Sequence, residues 1–147
     1  MVSLRHFTND DCEMLRSCRY PDMSYDEISG MISEWNTCLY GGRYFEMFAV
    51  VSGGSPVGSI SVYEHSPSVC EIGPEIFPSE RNKGYASEAM NLALLHAAEK
   101  GYRLVLQQVR TDNKASIKLH EKLSFERLDS VYRNRKGNEV FLYIRII

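Results

Sequence analysis

Residues 81–86, Arg81-Asn82-Lys83-Gly84-Tyr85-Ala86, constrain this chain most, because they join an apolar strand pattern to its clearest helix pattern. The strand pattern covers residues 69–77. The helix pattern covers residues 86–100, with Ala89, Met90, Ala93, Leu94 and Ala97 on one stripe and Gly101 as the stop. A basic, glycine-containing loop that opens a helix makes an anion site. The first amides of a helix lack intrahelical acceptors, and the helix dipole adds positive potential there. Gly84 and the small Ala86 let a ligand approach the backbone, while Arg81 and Lys83 supply charge suited to phosphate. A pyrophosphate-bearing ligand fits this arrangement; an ordinary basic loop capping a helix is the plainer alternative. The segment is neither a G-x-x-x-x-G-K-[ST] P-loop nor a G-x-G-x-x-G fingerprint.

The other elements follow with short turns. Residues 2–7 alternate as a strand, and Thr8 or Asn9 caps a helix that stops before Pro21. Ser24 and Glu27 form a capping box for a helix with Ile28, Met31, Ile32 and Trp35 on one face. Residues 44–51 and 57–63 make a hairpin around residues 52–55. The strand at 69–77 is interrupted by Gly73-Pro74, where a missing donor predicts a bulge, a splay or departure from its neighbour. A strand at 103–109, a helix at 113–122 and a hairpin of 125–132 with 140–146 complete the chain. The expected fold is a single mixed α/β domain over residues 1–147, of about seven strands and four helices, in the order β-α-α-β-β-β-α-β-α-β-β.

Composition narrows the partners. With 44% hydrophobic residues the chain can bury one core, and its net charge of −2 disfavours nucleic acid. The densest basic stretch, residues 133–136, reads as a hairpin turn. Cys12, Cys18, Cys38 and Cys70 form no C-x-x-C pair and have no histidine at zinc-ligand spacing, so they are expected to be buried free thiols and no metal site is expected. Residues 1–7 lack the basic and apolar segments of a signal peptide, and no apolar stretch reaches membrane-spanning length; the expected location is the cytoplasm.

The six-residue loop resembles motif A of the GNAT acetyltransferases, [Q/R]-x-x-G-x-[G/A], with Arg81, Gly84 and Ala86 at the defined positions. Residues 113–125, from Asn113 to Phe125, are similar to that family's second cofactor segment, N-x-x-[SA]-x-x-L-[Y]-E-K-x-G-F. The likeness covers the C-terminal two thirds well; the first 43 residues match only as a strand and two helices. It implies a centrally splayed sheet and acetyl-CoA as acyl donor. The backbone of Arg81, Asn82, Lys83, Gly84, Tyr85 and Ala86 would hold the pyrophosphate. Free backbone groups near Gly73, Pro74, Glu75 and Ile76 would pair with the pantetheine arm, and Asn113 would bond that arm, cap its helix, or do both. Two positions depart from the pattern. His120 stands where many members carry the tyrosine that protonates the CoA thiolate, and Ser124 stands where glycine is usual, implying a less strained turn.

Several side chains are candidates for the chemistry. His120 is a candidate acid, set against a merely packed or solvated role. Glu71 and Glu75 share a strand face; Glu71 lies near a carboxylate that some relatives use, set against a solvated face or ion pair. Glu64 and His65 are weaker candidates, and His6 and His96 read as structural. Trp35, Tyr40, Tyr44 and Phe45 could wall an acceptor pocket but are read as core. The implied reaction is direct acetyl transfer to a primary amine, either a small molecule or a peptide N-terminus. A non-catalytic CoA-binding sensor or scaffold, and transfer of another acyl group, are the alternatives. A monomer and a homodimer are equally compatible.

Overall fold

The computed structural model describes residues 1–147. Its centre is a hairpin of β3 (Arg43–Ser52) and β4 (Ser55–Ser66), closed by Gly53 and Gly54 at φ of 58° and 82°. β1 (Ser3–Arg5) pairs antiparallel with β3 on its outer side. β2 (Leu39–Tyr40), a two-residue strand absent from the sequence expectation, pairs with the start of β3, making eight strands rather than seven. Between them, α1 (Cys12–Cys18) and α2 (Tyr25–Trp35) cover one face of the sheet. The Ser24–Glu27 capping box forms, each backbone amide donating to the other residue's side chain at 3.2 Å.

β5 (Val69–Ile76) follows β4, and α3 (Tyr85–Glu99) carries the chain across to β6 (Leu104–Arg110). α4 (Lys114–Lys122) and the hairpin of β7 (Glu126–Arg133) and β8 (Glu139–Ile146) complete the order β1-β3-β4-β5-β6-β8-β7. β5 keeps register with β4 as far as Ile76, opposite Gly58. Its parallel pairing with β6 ends after Val69–Leu104 and Cys70–Val105. The sheet therefore splays between β5 and β6 from Glu71 onward, two residues ahead of the Gly73-Pro74 interruption, which stays in register with β4.

The strand period decides what each face buries. Ile60, Val62, Cys70 and Ile72 point to α3 and meet Ala89, Met90, Ala93 and Ala97. Ala49 points the other way and joins Phe7, Leu15, Ile28, Ile32 and Phe77 under α1 and α2. Each buried Ile, Leu, Phe or Met contributes roughly 1.5–3 kcal/mol over its exposed state, so both faces hold the strands against splaying elsewhere. The Ser124 turn departs from expectation: serine sits at φ 63°, a left-handed position closing α4, so the strain that glycine would relieve is retained. No helix is long and apolar enough to cross a membrane.

Candidate active site

Two cavities meet at β5, one on each side of Gly73-Pro74. The first, about 580 Å³, runs along the splayed edge between β5, the start of α3 and α4, and is bordered by Pro74, Ile76, Gly84, Ala86 and Asn113. Its floor is made of backbone. Gly84 caps α3 at φ 83°, and the first helical rung is Glu88 N–H donating to Gly84 C=O at 3.3 Å. The amides of Tyr85, Ala86 and Ser87 therefore precede the ladder and face outward. The helix dipole adds to them, which makes this end of the cavity a cradle for phosphate.

Side chains complete the electrostatics. Arg81 Nε donates to the Ile76 carbonyl at 3.2 Å, tying the loop to the last residue of β5. Asn82 shares the border. Lys83 does not; it pairs with Glu80 at 2.8 Å, which raises its pKa, and it points to solvent. Lys118 and Lys122 line the cavity instead. Sequence reading passed over them, although their i, i+4 spacing on the same helix as Ser116 was a usable signal. Asn113 caps α4, its Oδ1 accepting from Ser116 N–H at 3.1 Å, while it borders the cavity.

The splay has a defined inner end. Gln107, 4% exposed on β6, makes the hydrogen bonds that a strand neighbour would: its Oε1 accepts from Ile72 N–H at 2.8 Å and its Nε2 donates to Ile72 C=O. Ile72 thus turns its backbone to the open side, and by strand alternation so do Pro74 and Ile76. The absent donor of Pro74 costs no rung with β4. The Ile76 N–H faces the opened edge, available to an extended ligand arm.

His120 lies behind this point and not in it. It is 3% exposed and borders neither cavity. Its Nδ1 donates to Ser116 C=O at 2.7 Å, its Nε2 lies 3.2 Å from Gln107 Nε2, and its ring packs on Phe125 and Tyr143. Burial lowers its pKa, so the neutral imidazole is favoured.

The second cavity, about 640 Å³, opens on the α2 face. Register puts Phe45 opposite Tyr63, Tyr63 opposite Glu71, and Ser61 opposite Gly73, so all five side-chain positions share this face. Tyr40, Phe45 and Tyr63 form an aromatic triad with centroids 6.1 to 6.4 Å apart, and Trp35 closes the wall. This corrects the core reading for Tyr40, which is 68% exposed, and Phe45, which borders an open cavity. Trp35 does both, packing on the buried Phe7 at 5.3 Å while it borders the cavity, and Tyr44, one residue out of phase, turns to the opposite face, packs on the core there and stacks on Tyr102. Glu34 and Glu71 bring carboxylates to the rim. Glu71 Oε2 accepts from His65 Nε2 at 2.8 Å. Glu75, four residues on, is held by Arg19 and borders the other cavity.

The family's sequence model, Acetyltransferase (GNAT) domain, matches residues 2–126. The chain belongs to the GNAT acetyltransferase family, whose acyl donor is acetyl-CoA. Solved structures share the fold. Mycobacterium smegmatis RimJ in complex with CoA-disulfide superposes with a TM-score of 0.84 at 17% identity, covering 99% of this chain and 81% of that one. A Salmonella typhimurium acetyl transferase that modifies the N-terminal serine of ribosomal protein L7/L12 gives 0.83 at 18% identity, covering 99% and 95%. Spermidine N-acetyltransferase from Vibrio cholerae, with CoA and spermine, gives 0.77 at 16% identity, covering 99% and 95%. No curated protein matches the sequence significantly.

Proposed function

We propose that residues 1–147 act as one domain that transfers the acetyl group of acetyl-CoA directly to a primary amine within a ternary complex. The observation that carries this reading is the meeting of the two cavities at adjacent residues, Gly73 and Pro74. A donor lying along the splayed edge presents its thioester where an amine in the aromatic cavity can reach it. The N–H of Tyr85, Ala86 and Ser87, with Lys118 and Lys122, hold the diphosphate end, and the Ile76 N–H pairs with the pantetheine arm.

Glu71 is the base. It takes a proton from the acceptor ammonium, and His65 holds the carboxylate in place through its 2.8 Å hydrogen bond. The freed nitrogen lone pair attacks the thioester carbon, the C–S bond breaks as the tetrahedral intermediate collapses, the nitrogen gives its second proton to solvent, and the departing thiolate takes one up from solvent. His120 is assigned a structural part, since its ring is sealed behind Gln107. The acceptor is a cationic amine: Tyr40, Phe45 and Tyr63 offer ring faces, and Glu34 and Glu71 offer negative charge. Both a small polyamine and a peptide N-terminus meet that description, as the acceptors named for the structural neighbours do. Four unpaired cysteines fit a reducing, cytoplasmic setting.

The test is free-thiol release from acetyl-CoA across a panel of aliphatic diamines, polyamines and peptides with free N-termini. Turnover with cationic acceptors is expected. Saturable CoA binding without thiol release on any acceptor would replace the enzyme reading with that of a sensor, and faster turnover with propionyl- or succinyl-CoA would replace the acyl group.

A further inference from the structure

A second polar cluster lies on the α3 face, away from both cavities. Glu46, only 7% exposed, accepts from His6 Nε2 at 2.6 Å, from His96 Nε2 at 2.7 Å and from the Tyr44 hydroxyl. The Cys38 thiol stands beside it. One donor atom each from His6, Cys38 and Glu46 lie within 4.8 Å of one another. Phe48 holds the two imidazoles in place, its ring centroid 5.5 Å from that of His6 and 5.0 Å from that of His96. Four elements converge here: the end of β1, the turn before β2, the start of β3, and α3.

We propose that His6, Cys38 and Glu46, with His96 as fourth donor, bind a divalent transition-metal ion of the Zn2+ type, which fastens the turn carrying Cys38. Imidazole nitrogen, thiolate sulfur and carboxylate oxygen together are a donor set that suits Zn2+ and closely related ions, and poorly suits Mg2+ or Ca2+. In a tetrahedral site with bonds of about 2.0–2.3 Å, neighbouring donor atoms lie roughly 3.3–3.8 Å apart. The cluster reaches this by small shifts. His6 is exposed and Cys38 half-buried, so both can adjust and an ion can enter; Glu46 and Phe48 provide the fixed part. On binding, the Cys38 thiol releases its proton to solvent, and each histidine carries its remaining proton on Nδ1, leaving the Nε2 lone pair for the metal.

The consequence concerns the neighbouring cavity. Cys38 sits at φ 57° in the turn between α2 and β2, and its carbonyl accepts from Phe45 N–H at 3.3 Å. Trp35, Thr37, Leu39, Tyr40 and Gly41 of the same turn border the aromatic cavity on the opposite side. A metal bond to Cys38 therefore fixes the wall of that cavity from behind. Spacing rules could not show this, because the four donors are spread from residue 6 to residue 96.

The test uses Co2+ as a probe on the full chain and does not depend on acetyl transfer. Wild-type protein is expected to give the strong visible absorption of tetrahedral cobalt and a near-ultraviolet thiolate-to-cobalt band. Cys38→Ser should lose that band, Cys18→Ser should keep it, and His6→Gln should weaken Co2+ at least tenfold. With Zn2+ added, amide exchange across residues 36–41 should slow. No thiolate band in the wild type, its persistence in Cys38→Ser, or unchanged affinity in His6→Gln would overturn the site. Binding with unaltered exchange at 36–41 would overturn its role in fastening the turn.

Discussion

The carboxamide of Gln107 occupies the place of a missing strand rung, satisfying both the N–H and the C=O of Ile72 where β5 parts from β6. It marks where pairing stops and the edge proposed for the pantetheine arm begins. Gln107→Leu would leave two buried backbone groups unsatisfied, at about 1–3 kcal/mol each. Chemical denaturation should show a loss in that range or its double. A loss within experimental error would mean that the splay is held by packing alone.

Gly58 faces the end of the same strand. A Cβ built there would lie 2.4 Å from the Glu75 carbonyl oxygen and 2.8 Å from Ile76 Cα, both backbone atoms. Gly58→Ala must therefore push the tip of β5 into the cleft. Overpacking of this kind costs typically about 1–3 kcal/mol, and CoA affinity, read by calorimetry, should fall at least tenfold.

Glu71 is assigned the proton transfer. Glu71→Gln keeps the shape and can still accept from His65, but it cannot take up a proton from the acceptor. General-base losses run to about 10²–10⁴-fold; kcat should drop by that order while CoA affinity stays unchanged. Retention of kcat would move the base elsewhere, with His65 the nearest alternative.

Ser124 ends α4 in a left-handed conformation, its N–H donating to Glu121 C=O at 3.1 Å. That conformation costs a non-glycine residue roughly 1–2 kcal/mol. Ser124→Gly should raise stability by about 1 kcal/mol in a thermal or urea melt, with kcat and KM unaltered.

His120 links stability to pH. Burial lowers its folded-state pKa, whereas in the unfolded chain it titrates near its ordinary value, about 6.5. The contribution is fully present above that value and is lost as pH falls toward the folded pKa, because the unfolded state takes up the proton first. The slope cannot exceed about 1.4 kcal/mol per pH unit for one proton. Melting measured from pH 7 to pH 5 should fall more steeply for the wild type than for His120→Gln. Parallel curves would show that this imidazole does not contribute.

What was legible in the sequence was local. The amides at the start of α3 are bared by the geometry of any helix, so Arg81-Asn82-Lys83-Gly84-Tyr85-Ala86 points to an anion site from the sequence alone, and all but Lys83 border the cavity proposed for the donor. The Ser24–Glu27 box was equally readable, and Gly73-Pro74 signalled the splay to within a few residues of where it begins after Cys70. Tertiary structure decided the rest, because it depends on which surfaces are brought together. Tyr40 and Phe45 became a cavity wall instead of core only once the α2–β2 turn brought Tyr40 beside Tyr63 of β4. His120 became sealed only when β6, β8 and α4 closed around it. His6, Cys38, Glu46 and His96, apart along the chain, met because β1, β3 and α3 cross at one point. Hydrogen bonds at helix ends and breaks in strands are encoded over a single turn. Convergence across a sheet is encoded only in the packing of the whole chain.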